Sequence, residues 1–192
     1  MNKEVSFKES RIVGTTILLL GMGFLMSWIP KGNLLVLMVN LLLAFIAGFL
    51  FFYFWKTTKH KSKRYFSLLS FVMVNVMAIQ FTIPLLRIYF LTLTFWIGIV
   101  MLIIMVTMPY IYARKIAYGI QKPGKSKLGK IYLVYLGLLF PFGGSAYMNS
   151  LYTSNTDAIV VALLSFLVAL FFLFVSPVFL IKPAEMDKIT KE

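Results

Sequence analysis

The sequence predicts an all-α integral membrane protein: a six-helix transmembrane bundle with both termini cytoplasmic and no soluble domain. Three observations predict it. Hydrophobic residues make up 60% of the 192 positions and charged residues only 13%, where a soluble domain carries about 25% charged. The apolar residues fall in long runs, each near the roughly 20 needed to cross a ~30 Å hydrocarbon core. The basic residues fall between those runs, nearly all in alternate connections.

In lipid a backbone must satisfy its own hydrogen bonds, so long apolar runs imply helices. The predicted spans are 12–29, 33–55, 65–86, 88–112, 131–152 and 158–181. Lys3, Lys8 and Arg11 ahead of the first run resemble a signal peptide. That run is 18 residues long, however, and Pro30, Lys31, Gly32 and Asn33 follow it instead of a small-residue cleavage site. It is read as a retained span closed by Pro30. Residues 56–64 separate the second and third spans, Leu86-Arg87 forms a tight turn before the fourth, and 113–130 divides the fourth from the fifth. Within 113–130, Gln121-Lys122-Pro123-Gly124-Lys125 should turn. The fifth span is irregular, because Phe140-Pro141-Phe142-Gly143-Gly144-Ser145 predicts a kink or an end near Phe142. The alternative is a discontinuous helix lining a binding site.

Orientation follows from charge. The N-terminal tail holds three basic residues, the 56–64 loop five, the 113–130 loop six and the segment from Lys182 onward three, seventeen in all. The opposite side holds only Lys31 and Arg87. This places the termini and both basic loops in the cytoplasm. Tyr53, Trp55, Tyr65, Tyr110, Tyr112 and Tyr132 fall at the inner boundary, and Trp28, Tyr89, Tyr147 and Tyr152 near the outer one, as headgroup-level belts. Arg87 is read as an outer interface anchor. Lysine outnumbers arginine 15 to 4, a composition of AT-rich bacteria, so a bacterial plasma membrane is the expected location.

Close packing between membrane helices selects small and weakly polar residues. On the sixth span Ala158, Ala162, Ser165, Ala169 and Ser176 share an arc of about 60°. On the second, Asn33, Asn40, Ala44, Ala47 and Gly48 share about 100°, and on the third Ser67, Ser70, Asn75, Ala78 and Thr82 share about 140°. These faces are predicted to turn into the bundle.

The sequence offers little chemistry. It has no cysteine, which removes thiolate catalysis, thiolate metal sites and disulfides. The six acids are Glu4, Glu9, Asp157, Glu185, Asp187 and Glu192, and none lies inside a predicted span. Intramembrane acid–base chemistry and proton coupling rely on such groups. Asp157 follows Ser154-Asn155-Thr156 and is read as a capping residue of the sixth span. His60, the single histidine, sits among cations in a basic loop. No catalytic, cofactor-binding or metal-binding residue is assigned, and no cofactor is expected. Asn40, Asn75 and Gln80 are the most polar groups within spans, and form either a ligand-contacting or a helix-packing cluster.

The net charge of +13 raises the question of nucleic acid, but the cations lie between membrane runs and stacking aromatics are absent from 56–64. Anionic lipid at loops 56–64 and 113–130 is the expected partner, at ~1 kcal/mol per basic residue, with a membrane protein as a second. The expected role is that of a non-enzymatic accessory or interaction protein. The alternative is a small-solute transporter or its membrane-embedded substrate-binding subunit. In size and topology the chain resembles the general plan of vitamin-uptake binding subunits, without a shared motif.

Overall fold

A computed structural model describes residues 4–152 and 158–191. Among the described residues the fold is all-helical, with no strand. The helices are α1 (Ile12–Ser27), α2 (Leu34–Thr58), α3 (Ser62–Ile88), α4 (Leu93–Ile111), α5 (Ala113–Gln121), α6 (Lys127–Tyr152), α7 (Ala158–Val175) and α8 (Pro183–Lys191), and α7 continues into a 3-10 turn, Ser176–Leu180. Among the described residues four segments are long and apolar enough to cross a membrane: α2, α3, α4 and Ala158–Leu180. Helix α1 is apolar but has only 16 residues.

Several boundaries differ from the sequence reading. The turn expected at Leu86-Arg87 lies later, because α3 runs to Ile88 and α4 begins at Leu93. Arg87 lies in the last turn of α3, from which its side chain reaches the α1–α2 connection. Thr92 then starts α4, its hydroxyl accepting from Phe95 N–H (3.4 Å), as Asn33 caps α2 through Val36 N–H (3.1 Å). Residues 113–121 form helix α5, and the turn expected around Pro123 separates it from α6. Ala113, Ile116, Ala117 and Ile120 recur at helical spacing, and Ile116 and Ala117 are buried against Val178 and Ile189. Helix α6 continues through Pro141 to Tyr152 rather than ending near Phe142. Asp157, the expected cap of the sixth span, lies outside the described residues.

Helix α3 is the hub. In its most apolar stretch 50% of residues are buried, against 11% for α4, so α3 is core and α4 is mostly surface. Helices α1 and α2 cover one side of α3 around Leu19, Ala44, Ala47 and Phe51. Helix α7 covers the other, where Ala162, Ser165 and Ala169 are buried, followed by Ser176 in the 3-10 turn. Small side chains let these backbones approach closely. The single inward arc expected for the third span is therefore too narrow, since α3 is sandwiched and buries residues on opposite sides.

The basic segments gather at one end. Val5 N–H donates to Lys59 O (2.9 Å) and Trp55 Nε1 to Val5 O (3.0 Å). Arg64 Nη1 donates to Leu180 O (2.8 Å), Ser67 Oγ to Phe179 O, and Arg114 pairs with Glu185. Tyr65, expected at the headgroup belt, is instead fully buried. Its hydroxyl donates to Ser10 O (2.7 Å), which ties the N-terminal tail to α3 and takes the ring into the core.

Glu4 adds an electrostatic tie. Its carboxylate lies 3.0 Å from Lys59 Nζ and 3.5 Å from His60 Nδ1. The hydrogen bond and charge of Lys59, then the charge of His60, hold its carboxyl below the ordinary carboxylate range. A lowered carboxyl pKa makes the contribution complete above the unfolded value and removes it as pH falls through the lowered one. Tail docking should therefore hold at neutral pH and weaken on acidification below pH ~4.5. Trp55 emission in a Trp28→Phe/Trp96→Phe background should report the change. If Glu4→Gln gives the same acid profile, the tie has no such role.

Candidate functional site

The polar side chains of the spans form two separate groups, on opposite sides of α3. The first lies where α1, α2 and α3 meet. Gly23 lets α1 approach so closely that an added Cβ would sit 2.8 Å from Gln80 Nε2 and 3.0 Å from Asn40 Cβ. Asn40 Nδ2 donates to Gly23 O (3.1 Å) and Ser27 Oγ (2.9 Å), and Ser27 Oγ itself donates to Gly23 O (2.6 Å). Gln80 Nε2 donates to Leu19 O (3.1 Å). Asn40 and Gln80 are fully buried. Their amide oxygens, Asn40 Oδ1 and Gln80 Oε1, have no hydrogen-bond partner.

Asn75 belongs to the second group. Its Nδ2 donates to Phe71 O (2.7 Å) and to Ser176 Oγ (2.5 Å), joining α3 to the base of α7. The separation follows from helix geometry: five residues on α3 place Asn75 and Gln80 about 140° apart. The structure thus brings Asn40 and Gln80 together and leaves Asn75 with a different neighbour.

Sequence reasoning missed Gly23 and Ser27 as members of the first group. The signal was present, as a small–x–x–x–small pair in the first span. It also understated Arg87, whose Nη1 donates to Ser27 O (3.2 Å) and Ile29 O (3.1 Å) and whose Nη2 donates to Lys31 O (2.9 Å). A guanidinium at the C-terminal end of α1 satisfies carbonyls the helix leaves open and suits the negative end of its dipole.

Chemically the polar core is neutral. Its amide NH2 groups already donate to backbone or Ser27, and its two open positions are acceptors. It can take a hydrogen-bond donor but offers no titratable group for proton transfer. Among the described residues no group of three or more His, Asp or Glu side chains is placed to hold a metal ion.

The basic loops have different fates. In 56–64, Lys59 is engaged with Glu4 and lies over the Trp55 ring (5.9 Å), and Arg64 holds the end of the 3-10 turn. His60 is largely exposed. In 113–130 Arg114 and Lys115 on α5 and Lys127 at the start of α6 line a cavity of about 950 Å³, while Lys122, Lys125 and Lys130 do not. Neither this cavity nor a smaller apolar crevice of about 200 Å³ between α4, α6 and α7 is lined by Asn40, Asn75 or Gln80.

Comparison of the chain with protein families, curated proteins and solved structures gives no match, so no relative supplies a function.

Proposed function

We propose that the chain is a six-span membrane protein of a bacterial plasma membrane, with both termini cytoplasmic, that works by contact with anionic lipid and neighbouring membrane proteins and not by catalysis. The observation that carries this reading is the use made of polar groups within the spans. Asn40, Gln80, Asn75 and Ser27 donate to the protein's own backbone or to one another, as packing glue between helices does. Outside the hub, α2 and α4 present large apolar side chains such as Phe49, Leu93 and Ile111, each about three-quarters exposed, suited to lipid or to another membrane helix.

Sidedness is supported by where the charges meet. The N-terminal tail meets the 56–64 loop through Val5 and Lys59, Arg114 of the 113–130 loop meets Glu185, and Arg64 reaches Leu180 O just ahead of Lys182, while Arg87 binds the 27–31 segment elsewhere. Helix α1 spans only about 24 Å at 1.5 Å per residue. Short spans are accommodated by local bilayer thinning and by flanking residues that reach the interface.

A small-solute transporter is the second reading, favoured by one observation: the two buried amide oxygens of Asn40 and Gln80 accept no bond. Because the chain has no cysteine, single cysteines test both readings with a membrane-impermeant maleimide. Lys31→Cys should label in intact cells, and Lys61→Cys and Lys125→Cys only after the membrane is opened. Labelling of Lys61→Cys in intact cells would overturn the orientation. In reconstituted protein Asn40→Cys and Gln80→Cys should stay unreactive; reaction there would favour a solvated pathway.

A further inference from the structure

The basic cavity and the apolar crevice adjoin, and their linings have opposite character. Five cations line the cavity: Arg114 and Lys115 in the first turn of α5, Lys127 at the start of α6, Lys182 just before α8 and Lys188 within it. The only carboxylate lining it among the described residues is Glu185, which is paired with Arg114. Among the described residues, four of these positive charges therefore have no carboxylate partner around a space of about 950 Å³. Three helices begin at its rim, and helix N-termini add positive potential.

The crevice is lined by carbon. Leu128, Ile131, Tyr132 and Tyr135 follow one another along α6 away from the cavity, facing Phe171 and Phe174 of α7. The Tyr132 and Tyr135 rings stack with Phe171, and the Tyr135 hydroxyl is occupied by Leu167 O (2.6 Å), so the wall offers a hydrocarbon chain no competing polar group. Leu128 lines both spaces.

We propose that this pair of spaces is a binding site for one anionic glycerophospholipid. Its phosphate and headgroup occupy the basic cavity, and part of an acyl chain lies along the crevice past Leu128. A free phosphate has no use for the crevice, and a neutral lipid has none for four cations. The site rests on the membrane reading above and sharpens it, replacing diffuse attraction at basic loops with one placed ligand.

The test uses the full-length protein in nanodiscs of phosphatidylcholine with or without phosphatidylglycerol, followed by native mass spectrometry of retained lipid. Failure to reconstitute would count against the membrane reading itself. Given reconstitution, one phosphatidylglycerol per chain should be retained in preference to phosphatidylcholine. Lys182→Gln/Lys188→Gln should weaken retention about tenfold or more. Lys61→Gln/Lys63→Gln, which removes the same charge from the other basic loop, should leave retention unchanged. Ile131→Trp, filling the crevice from its exposed wall, should weaken lipid retention without affecting inorganic phosphate binding in detergent. Circular dichroism verifies that each variant is folded. Equal loss from both lysine pairs would reduce the effect to surface charge and overturn the site. Phosphate bound as well as lipid, with no effect of Ile131→Trp, would overturn the lipid assignment.

Discussion

Gly23→Ala should lower the unfolding free energy in micelles by roughly 1–3 kcal/mol, the usual cost of forcing atoms into a packed interface. The added methyl would meet Gln80 Nε2 at 2.8 Å and Asn40 Cβ at 3.0 Å. The glutamine can swing aside only by releasing Leu19 O, and the Asn40 Cβ is fixed to the backbone of α2. Helix α1 must therefore move away, which loosens both bonds from Asn40 Nδ2. Gly21→Ala, two residues earlier, is the control, since nothing lies within 4 Å of its added Cβ. On helix propensity alone it should be neutral or slightly stabilising. Combining Gly23→Ala with Gln80→Ala should cost less than the sum, because the second change removes one of the two collisions. Equal stability of the Gly21 and Gly23 variants in a denaturant titration would refute the close approach.

Arg87→Ala should cost about 1.5–3 kcal/mol, the range for hydrogen bonds made by a charged group. The guanidinium gathers three carbonyls, from Ser27, Ile29 and Lys31, and its loss leaves them to water or to the lipid interface. Arg87→Lys should recover less than half of the loss. An ammonium supplies the charge but not the planar fork that reaches separate carbonyls. The connection between α1 and α2 should then become protease-sensitive under conditions where the native protein resists, with cleavage near Lys31. Full rescue by lysine would mean that charge alone matters, and the geometric role would fall.

The effects of Gly23 and Arg87 are of different kinds, and neither role was read from the sequence. Arg87 was visible as a lone outer cation, but its carbonyl partners lie 56 to 60 residues away in sequence and no periodicity announces them. Gly23 and Ser27 carried a readable small-residue spacing. It stayed in the background because the first span also has Gly14 and Gly21, and a glycine's neighbours depend on which face its helix presents. Asn40, Asn75 and Gln80 were legible as the polar members of the spans. Their partition into two groups depends on the rotation of α3, which apolar periodicity cannot give when lipid and core are both apolar. The cavity at the basic end was hidden for a similar reason: α5 looks like a charged loop until Ile116 and Ala117 find Val178 and Ile189.

The sequence by itself determined that this chain is helical and that its long apolar segments suit lipid. Long apolar runs leave a backbone in lipid no alternative to helices, and the basic residues fall between those runs. Both are local properties, written residue by residue. The tertiary structure decided which helix is central, which amides meet, and that Arg114, Lys115, Lys127, Lys182 and Lys188 surround one space. Those outcomes depend on fit between surfaces distant in the chain, as at Gly23, where an added Cβ would meet Gln80 Nε2 at 2.8 Å.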